Sequence, residues 1–134
     1  MLLLVASVAL SGCIGQSEPE DEEEPQLARL NVMIVGIDPT TGNNDKLIWS
    51  GSKTFDLGTK CLDAMKTMLP VETQQTGYGP MITGLKGVFA PQGYYWSLYI
   101  DNRYSTVGIA DCSVYSNKLI MWKLEKIEAT PPVR

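Results

Sequence analysis

Apolar residues along the chain fall into stretches whose spacing is typical of β-strands. The four longest stretches span residues 27–37, 47–57, 94–100 and 117–125, and two shorter ones lie at 81–85 and 103–107. The first and the last long stretches carry apolar side chains on both faces, which predicts strands buried in a sheet. The second places Trp49, Phe55 and Leu57 on one face and polar residues on the other, which predicts a half-buried hairpin partner.

One helix is predicted between the second and the third long strand. Apolar residues recur there with helical spacing, at Cys61, Leu62, Met65, Met68 and Leu69. Thr59 is expected to cap the start of this helix and Pro70 to end it, and residues 71–79 are predicted to form a loop. This order of strands and helix predicts an α+β domain over residues 27–127, with the helix packed on a mixed sheet.

The segments on either side of this domain have a different composition. Residues 1–15 form an apolar run that is too short to span a bilayer and precedes an acidic stretch, which predicts a signal sequence and not a core helix. Residues 16–26 are predicted to be a mobile acidic stalk, and residues 128–134 a loose tail. Two processing routes remain open: acylation of Cys13 at the end of a lipobox-like sequence, or cleavage after Gly15. Both routes place the protein outside the cell, and the first adds a lipid anchor.

Two cysteines, Cys61 and Cys112, remain in the domain after either route. Because export leads to an oxidising compartment, we expect them to form a disulfide. Two alternatives stay open from the sequence alone. The cysteines could be separate buried thiols, or Cys61 could be a reactive thiolate at the start of the helix.

Composition excludes several classes of function. The 134 residues include no histidine, which rules out serine or cysteine catalysis through histidine and zinc sites with imidazole ligands. Beyond residue 24 the chain has nine acidic residues and 11 Lys and Arg residues, so it is nearly neutral. The Lys and Arg residues are scattered along the sequence, and nothing indicates nucleic-acid binding. Asp63, Asp101 and Asp111 have no spacing that requires them to meet as a catalytic pair. We therefore expect a non-enzymatic protein with no metal site and no intrinsic cofactor.

Three motifs resemble a known family. They are GYGPMITGLKGV at residues 77–88, YWSLYIDN at residues 95–102 and VGIAD at residues 107–111. Together with the hairpin and the helix, they make residues 30–125 similar to the C-terminal domain of transcobalamins and intrinsic factor. The resemblance implies a β-grasp-like fold and a domain that closes over cobalamin in those carriers.

The resemblance also implies a ligand-facing site on two segments. These are Tyr78, Gly79, Pro80 and Met81 in the first motif and Trp96, Ser97, Leu98 and Tyr99 in the second. A corrin is a broad, largely apolar disc edged with amides, so aromatic surface beside an exposed strand edge suits it. Trp96 and Leu98 fit equally well as core residues of a strand. The expected partner is thus a cobalamin-like small molecule, and the alternative is a surface-tethered module that binds an extracellular protein.

Overall fold

The computed structural model describes residues 26–127. These residues form ten strands, one α-helix and one 3-10 turn. In chain order the elements are β1 (Leu27–Gly36), β2 (Lys46–Asp56), β3 (Thr59–Lys60), α1 (Cys61–Met68), β4 (Val71–Thr76), β5 (Gly79–Leu85), β6 (Val88–Phe89), β7 (Tyr94–Ile100), β8 (Arg103–Tyr104), the 3-10 turn (Ile109–Asp111), β9 (Ser113–Val114) and β10 (Lys118–Lys126).

The main sheet has five strands in the order β2, β1, β10, β7, β8. Strands β1 and β10 pair in parallel at its centre, and the other neighbours are antiparallel. Burial alternates along most of β1 and β10, so one face of each strand packs in the core and the other, which carries Met33, Leu119 and Met121, is half-buried or exposed. All four long strands predicted from the sequence are therefore present. Strands β4, β5 and β6 form a second sheet, and β3 pairs with β9.

The helix α1 buries Cys61, Ala64 and Met65 against the main sheet core. Met65 is fully buried, and its sulfur accepts a hydrogen bond from the indole Nε1–H of Trp122 on β10 at 3.3 Å. This hydrogen bond holds α1 against the sheet, and Met65 is one of the apolar residues whose spacing predicted the helix. The mixed sheet with one packed helix confirms the α+β class. Among residues 26–127, no helix is long and apolar enough to cross a membrane.

Three local predictions were wrong. Thr59 does not cap α1, because it lies in β3 and its hydroxyl donates to the carbonyl of Asp56 at 2.7 Å. Residues 71–76 form β4 and not a loop, since their backbone pairs along β5 although their side chains are mostly polar and exposed. The strand expected at 103–107 stops at Tyr104, because the hydroxyl of Ser105 bonds both the N–H and the carbonyl of Val107 and turns the chain.

The predicted disulfide between Cys61 and Cys112 is present, with Cα atoms 5.3 Å apart. Both residues are buried, and the backbone N–H of Cys61 donates to the carbonyl of Cys112. The alternatives of separate thiols and of a reactive Cys61 thiolate are therefore wrong. The disulfide ties the start of α1 to the segment that follows the 3-10 turn.

Several predictions fall on residues that lie outside the described range. They concern the signal sequence at 1–15 with Cys13, nearly all of the stalk at 16–26, and the tail at 128–134.

Candidate functional site

A groove separates β5 from β7 and holds a cavity of about 330 Å³. Its walls come from three places: the β4–β5 turn with the start of β5, the first part of β7, and the segment from Tyr104 to Ile109 that follows β8. Residues of the two predicted site segments line it, namely Tyr78, Gly79, Pro80, Met81, Trp96, Ser97 and Leu98. The fold thus brings together two segments that lie some distance apart in the chain.

The turn between β4 and β5 presents Tyr78 to solvent. The hydroxyl of Thr76 accepts a hydrogen bond from the Tyr78 N–H at 3.1 Å and donates to the carbonyl of Gly79 at 2.7 Å. Gly79 has a φ of +108°, a conformation that glycine adopts without strain. The Tyr78 side chain is fully exposed at 102% of its reference area, so the core does not require an aromatic residue there. Its ring is free to contact a molecule in the groove.

The floor of the groove belongs to the hydrophobic core. Trp96 and Leu98 are 6% and 7% exposed, and both pack in the core cluster while lining the cavity. Trp122 from β10 lies beside them. The two readings left open by the sequence, core residue and ligand contact, are therefore compatible for Trp96 and Leu98.

The hydroxyl groups of two predicted site residues form hydrogen bonds to β10 and do not face the cavity as free donors. The hydroxyl of Ser97 donates to the carbonyl of Lys123 at 3.0 Å, so this group is engaged with β10 although Ser97 lines the cavity. Tyr99 does not line the cavity, and its hydroxyl donates to Glu125 at 2.7 Å. Of the eight predicted residues, Tyr99 is the one that the structure does not bring to the groove.

The indole of Trp96 carries an unpaired donor. Its Nε1 is buried and has no hydrogen-bond partner within residues 26–127. A buried donor without an acceptor costs roughly 1–3 kcal/mol, so an acceptor reaching it would recover part of that free energy.

The first part of β7 also offers unpaired backbone groups. Strand β8 pairs only with Tyr99 and Ile100, and the Ser105 N–H donates to the Leu98 carbonyl at 2.9 Å. Because backbone groups alternate in direction along a strand, those of Trp96 point to the same side as those of Leu98, beyond the end of β8. Within the described residues no strand pairs with β7 there. The N–H and carbonyl of Trp96 are thus directed at the groove.

A second cavity of about 260 Å³ continues the groove toward β6. It shares Met81, Ile82, Tyr95 and Trp96 with the first and extends to Phe89 and Ala90. A larger depression of about 440 Å³ lies beside the loop after β1, but it contains none of the predicted site residues.

The groove is electrically neutral. No charged side chain in the described part of the chain lines either cavity. At its rim the hydroxyls of Tyr95 and Tyr104 lie 3.3 Å apart. This hydrogen bond raises the pKa of Tyr95 above its ordinary value, and partial burial adds a smaller effect in the same direction. Tyr95 therefore stays uncharged at physiological pH, and the groove suits an uncharged or dispersed-charge ligand.

The three carboxylates considered as a catalytic pair lie elsewhere. Asp63 is in the first turn of α1, Asp111 is in the 3-10 turn, and Asp101 accepts the N–H of Leu119 at the turn after β7. None of them lines either cavity of the groove. Among residues 26–127, no group of three or more potential metal ligands is close enough to hold an ion.

Sequence reasoning missed several lining residues. Those from the third wall are Tyr104, Ser105, Val107, Gly108 and Ile109. Three of these five, Val107 to Ile109, belong to the VGIAD motif of the resemblance, so that motif contained a signal. Alternation along β7 does not exclude Tyr99, because Tyr95 and Ser97 share its face of the strand and line the cavity.

Comparison with known proteins gives one family and a shared fold. The family model described as "Domain of unknown function (DUF4430)" matches residues 58–126, more than half of the chain. The search of curated proteins gave no match.

The solved structures that are similar to this chain include the following two. A protein from Ruminococcus gnavus ATCC 29149, described as a candidate metal-binding protein, is 12% identical with a TM-score of 0.59; the match covers 75% of this chain and 99% of that one. Haptocorrin in complex with Cbi is 16% identical with a TM-score of 0.59, and the match covers 78% of this chain. This chain spans about a quarter of haptocorrin, 26% of its length. At these identities the likeness shows the fold, which agrees with the transcobalamin-like resemblance of the sequence.

Proposed function

The chain belongs to the DUF4430 family, and we propose that it is a non-enzymatic extracellular binding module whose groove between β5 and β7 takes a cobalamin-like small molecule. The observation that carries this proposal is the convergence of seven predicted ligand-facing residues on one neutral, aromatic groove. The similarity to haptocorrin in complex with Cbi, a cobalamin analogue, supports the same class of ligand.

The chemistry of the groove suits a corrin. Tyr78 and Met81 offer exposed apolar surface to the face of a broad disc. The backbone groups of Trp96 offer polar partners to amides at the edge of that disc. Apolar contact with a few placed polar groups is the usual composition of a small-molecule site.

The expected affinity is modest. The groove contacts one side of a ligand as broad as a corrin and leaves the other side in water. Because binding must also offset the lost freedom of ligand and side chains, we expect a dissociation constant of roughly 1 μM to 1 mM.

Isothermal titration of the oxidised chain with cobalamin and with cobinamide tests the proposal. Tyr78→Ala should weaken binding severalfold, because it removes the most exposed aromatic surface of the groove. Tyr115→Ala is the matched control, since Tyr115 is 70% exposed and lies outside both cavities. Absence of heat and of a corrin absorbance shift at high micromolar ligand would reject direct binding, and equal effects of the two variants would reject this groove.

Location and anchoring remain part of the proposal. The disulfide agrees with an extracellular protein, because such bonds persist in oxidising compartments. A lipid anchor on Cys13 and the alternative role as a tethered interaction module rest on the sequence. Mass spectrometry of the native N-terminus tests both, since an unmodified residue beyond Cys13 excludes the anchor and with it the tethered role. The β-grasp-like topology likewise remains a prediction.

A further inference from the structure

Few polar side chains of the groove are free to bind a ligand. Three hydroxyls that line it donate to backbone carbonyls, namely those of Thr76, Ser97 and Ser105. Of the two indoles, that of Trp122 donates its N–H to Met65, and that of Trp96 has its nitrogen buried. Within the described residues, the polar side chains that remain are the exposed Tyr78 and the pair formed by Tyr95 and Tyr104.

The hydroxyls of Tyr95 and Tyr104 form a polar pair at the rim of the groove. Their oxygens lie 3.3 Å apart and share one hydrogen bond. A tyrosine hydroxyl both donates and accepts hydrogen bonds. Because neither hydroxyl has another partner within residues 26–127, the pair keeps one O–H donor and acceptor lone pairs. Tyr95 is half-buried and Tyr104 is exposed, so a ligand in the groove can reach both.

A neighbouring tyrosine holds this pair in place. The rings of Tyr99 and Tyr104 meet edge to face, with their centroids 5.6 Å apart. The Tyr99 hydroxyl is in turn held by its hydrogen bond to Glu125. The position of Tyr104 therefore depends on Tyr99, although Tyr99 does not line the cavity.

We propose that the hydroxyls of Tyr95 and Tyr104 form a subsite for a primary carboxamide of the ligand. A carboxamide carries an acceptor oxygen and donor N–H groups on neighbouring atoms. It therefore matches both the free O–H and the free lone pairs of the tyrosine pair. Because corrins carry amides at their edge, this subsite rests on the proposed function and names the ligand group that the groove selects.

The same subsite disfavours a carboxylate. A carboxylate only accepts hydrogen bonds, so it uses the free O–H but not the lone pairs. It would also lose water without gaining a cation, because no charged side chain in the described part of the chain lines the cavity. Two charges beside Tyr99 have opposite signs: Glu125 accepts its hydroxyl, and the Lys123 Nζ lies 5.4 Å from the centre of its ring. Neither lines the cavity, so the hydroxyl pair itself discriminates between the two groups.

Nicotinamide and nicotinate are suitable probes of this subsite. They share one aromatic ring and differ in carrying a carboxamide or, at neutral pH, a carboxylate. Proton–nitrogen NMR spectra of the oxidised full chain measure their binding. We expect nicotinamide to bind with a dissociation constant of roughly 1–30 mM, as suits so small a ligand. Nicotinate should bind about three- to tenfold more weakly.

Two conservative variants test the hydroxyls directly. Tyr95→Phe and Tyr104→Phe each remove one hydroxyl and keep the ring, so each should weaken nicotinamide binding about three- to tenfold. Both should also reduce the preference for nicotinamide over nicotinate. Tyr115→Phe is the matched control, since Tyr115 is 70% exposed and lies outside both cavities of the groove. The spectrum of each variant verifies that it is folded.

Three results would each overturn the subsite: no saturable shift with nicotinamide, equal binding of the two probes, or unchanged nicotinamide affinity in both tyrosine variants. Titration of the same proteins with cobinamide separates this outcome from the proposed function. Equal cobinamide binding by the wild type and both variants would overturn the subsite and leave the groove as a corrin site. Selective nicotinamide binding without cobinamide binding would support the subsite and reject a corrin as the ligand.

Discussion

Replacing Cys61 and Cys112 by alanine removes the covalent link between the start of α1 and the chain after the 3-10 turn. The two residues are 51 positions apart, and opening a loop of this length returns about 4 kcal/mol of chain entropy to the unfolded state at room temperature. Residual structure in the unfolded chain lowers this figure, so we expect a loss of about 2–4 kcal/mol. Alanine is the suitable replacement because both positions are buried and a hydroxyl there would need a partner.

Urea unfolding followed by tryptophan fluorescence measures this loss. The midpoint should fall, and the melting temperature should drop by roughly 10–30 °C. Wild-type protein unfolded in the presence of a thiol reductant is the control, because it should follow the curve of the double variant. A loss below about 1 kcal/mol would refute the loop-entropy argument. If the disulfide also holds the groove wall at Ile109, ligand affinity should fall in the variant while it is still folded.

Further substitutions test the core, the edge strand and the tyrosine cluster by the same unfolding assay. Met65→Ala should cost about 2–5 kcal/mol, because it empties a fully buried site under the sheet. Gly51→Ala should destabilise the protein by about 1–3 kcal/mol, because the added Cβ would lie too close to the Trp49 ring. Gly77→Ala is the control, since a Cβ there contacts nothing and should cost far less. Equal losses for the two variants would contradict the contact with Trp49. The hydrogen bond to Glu125 raises the pKa of Tyr99 above 10.0, so its protonated form is favoured by folding. Stability from this group is present below pH 10 and is lost as pH rises beyond it, and Tyr99→Phe should flatten that decline.

The long strands were predictable because their buried positions are apolar and regularly spaced in the sequence. Strand β1 buries every second residue from Ala28 to Ile34 and β7 carries Trp96 and Leu98 toward the core, so apolar spacing identified both. Strand β4 was missed because its polar side chains are exposed and its position follows from backbone pairing with β5. Thr59 does not cap α1 for a similar reason, since it lies in β3 and pairs with Val114 of β9.

The site was partly predictable for a comparable reason. Tyr78 was recognised because an aromatic residue in a glycine-flanked turn has no packing role, and it is fully exposed. The wall from Tyr104 to Ile109 was missed because its place beside β7 depends on how β8 ends. Tyr99 was included because the motif was taken as a continuous run, whereas its hydroxyl is bound by Glu125.

The parallel pair at the centre of the main sheet has a consequence for biosynthesis. Strand β1 is made first and its parallel partner β10 last, with Leu30 opposite Lys118 and Val35 opposite Lys123. A nascent chain can form the hairpin of β1 and β2, but the other edge of β1 stays uncovered until nearly the whole domain has emerged. Pairings this distant in sequence also form slowly. We expect the domain to complete its folding only after β10 has emerged, and shorter chains to need protection from aggregation.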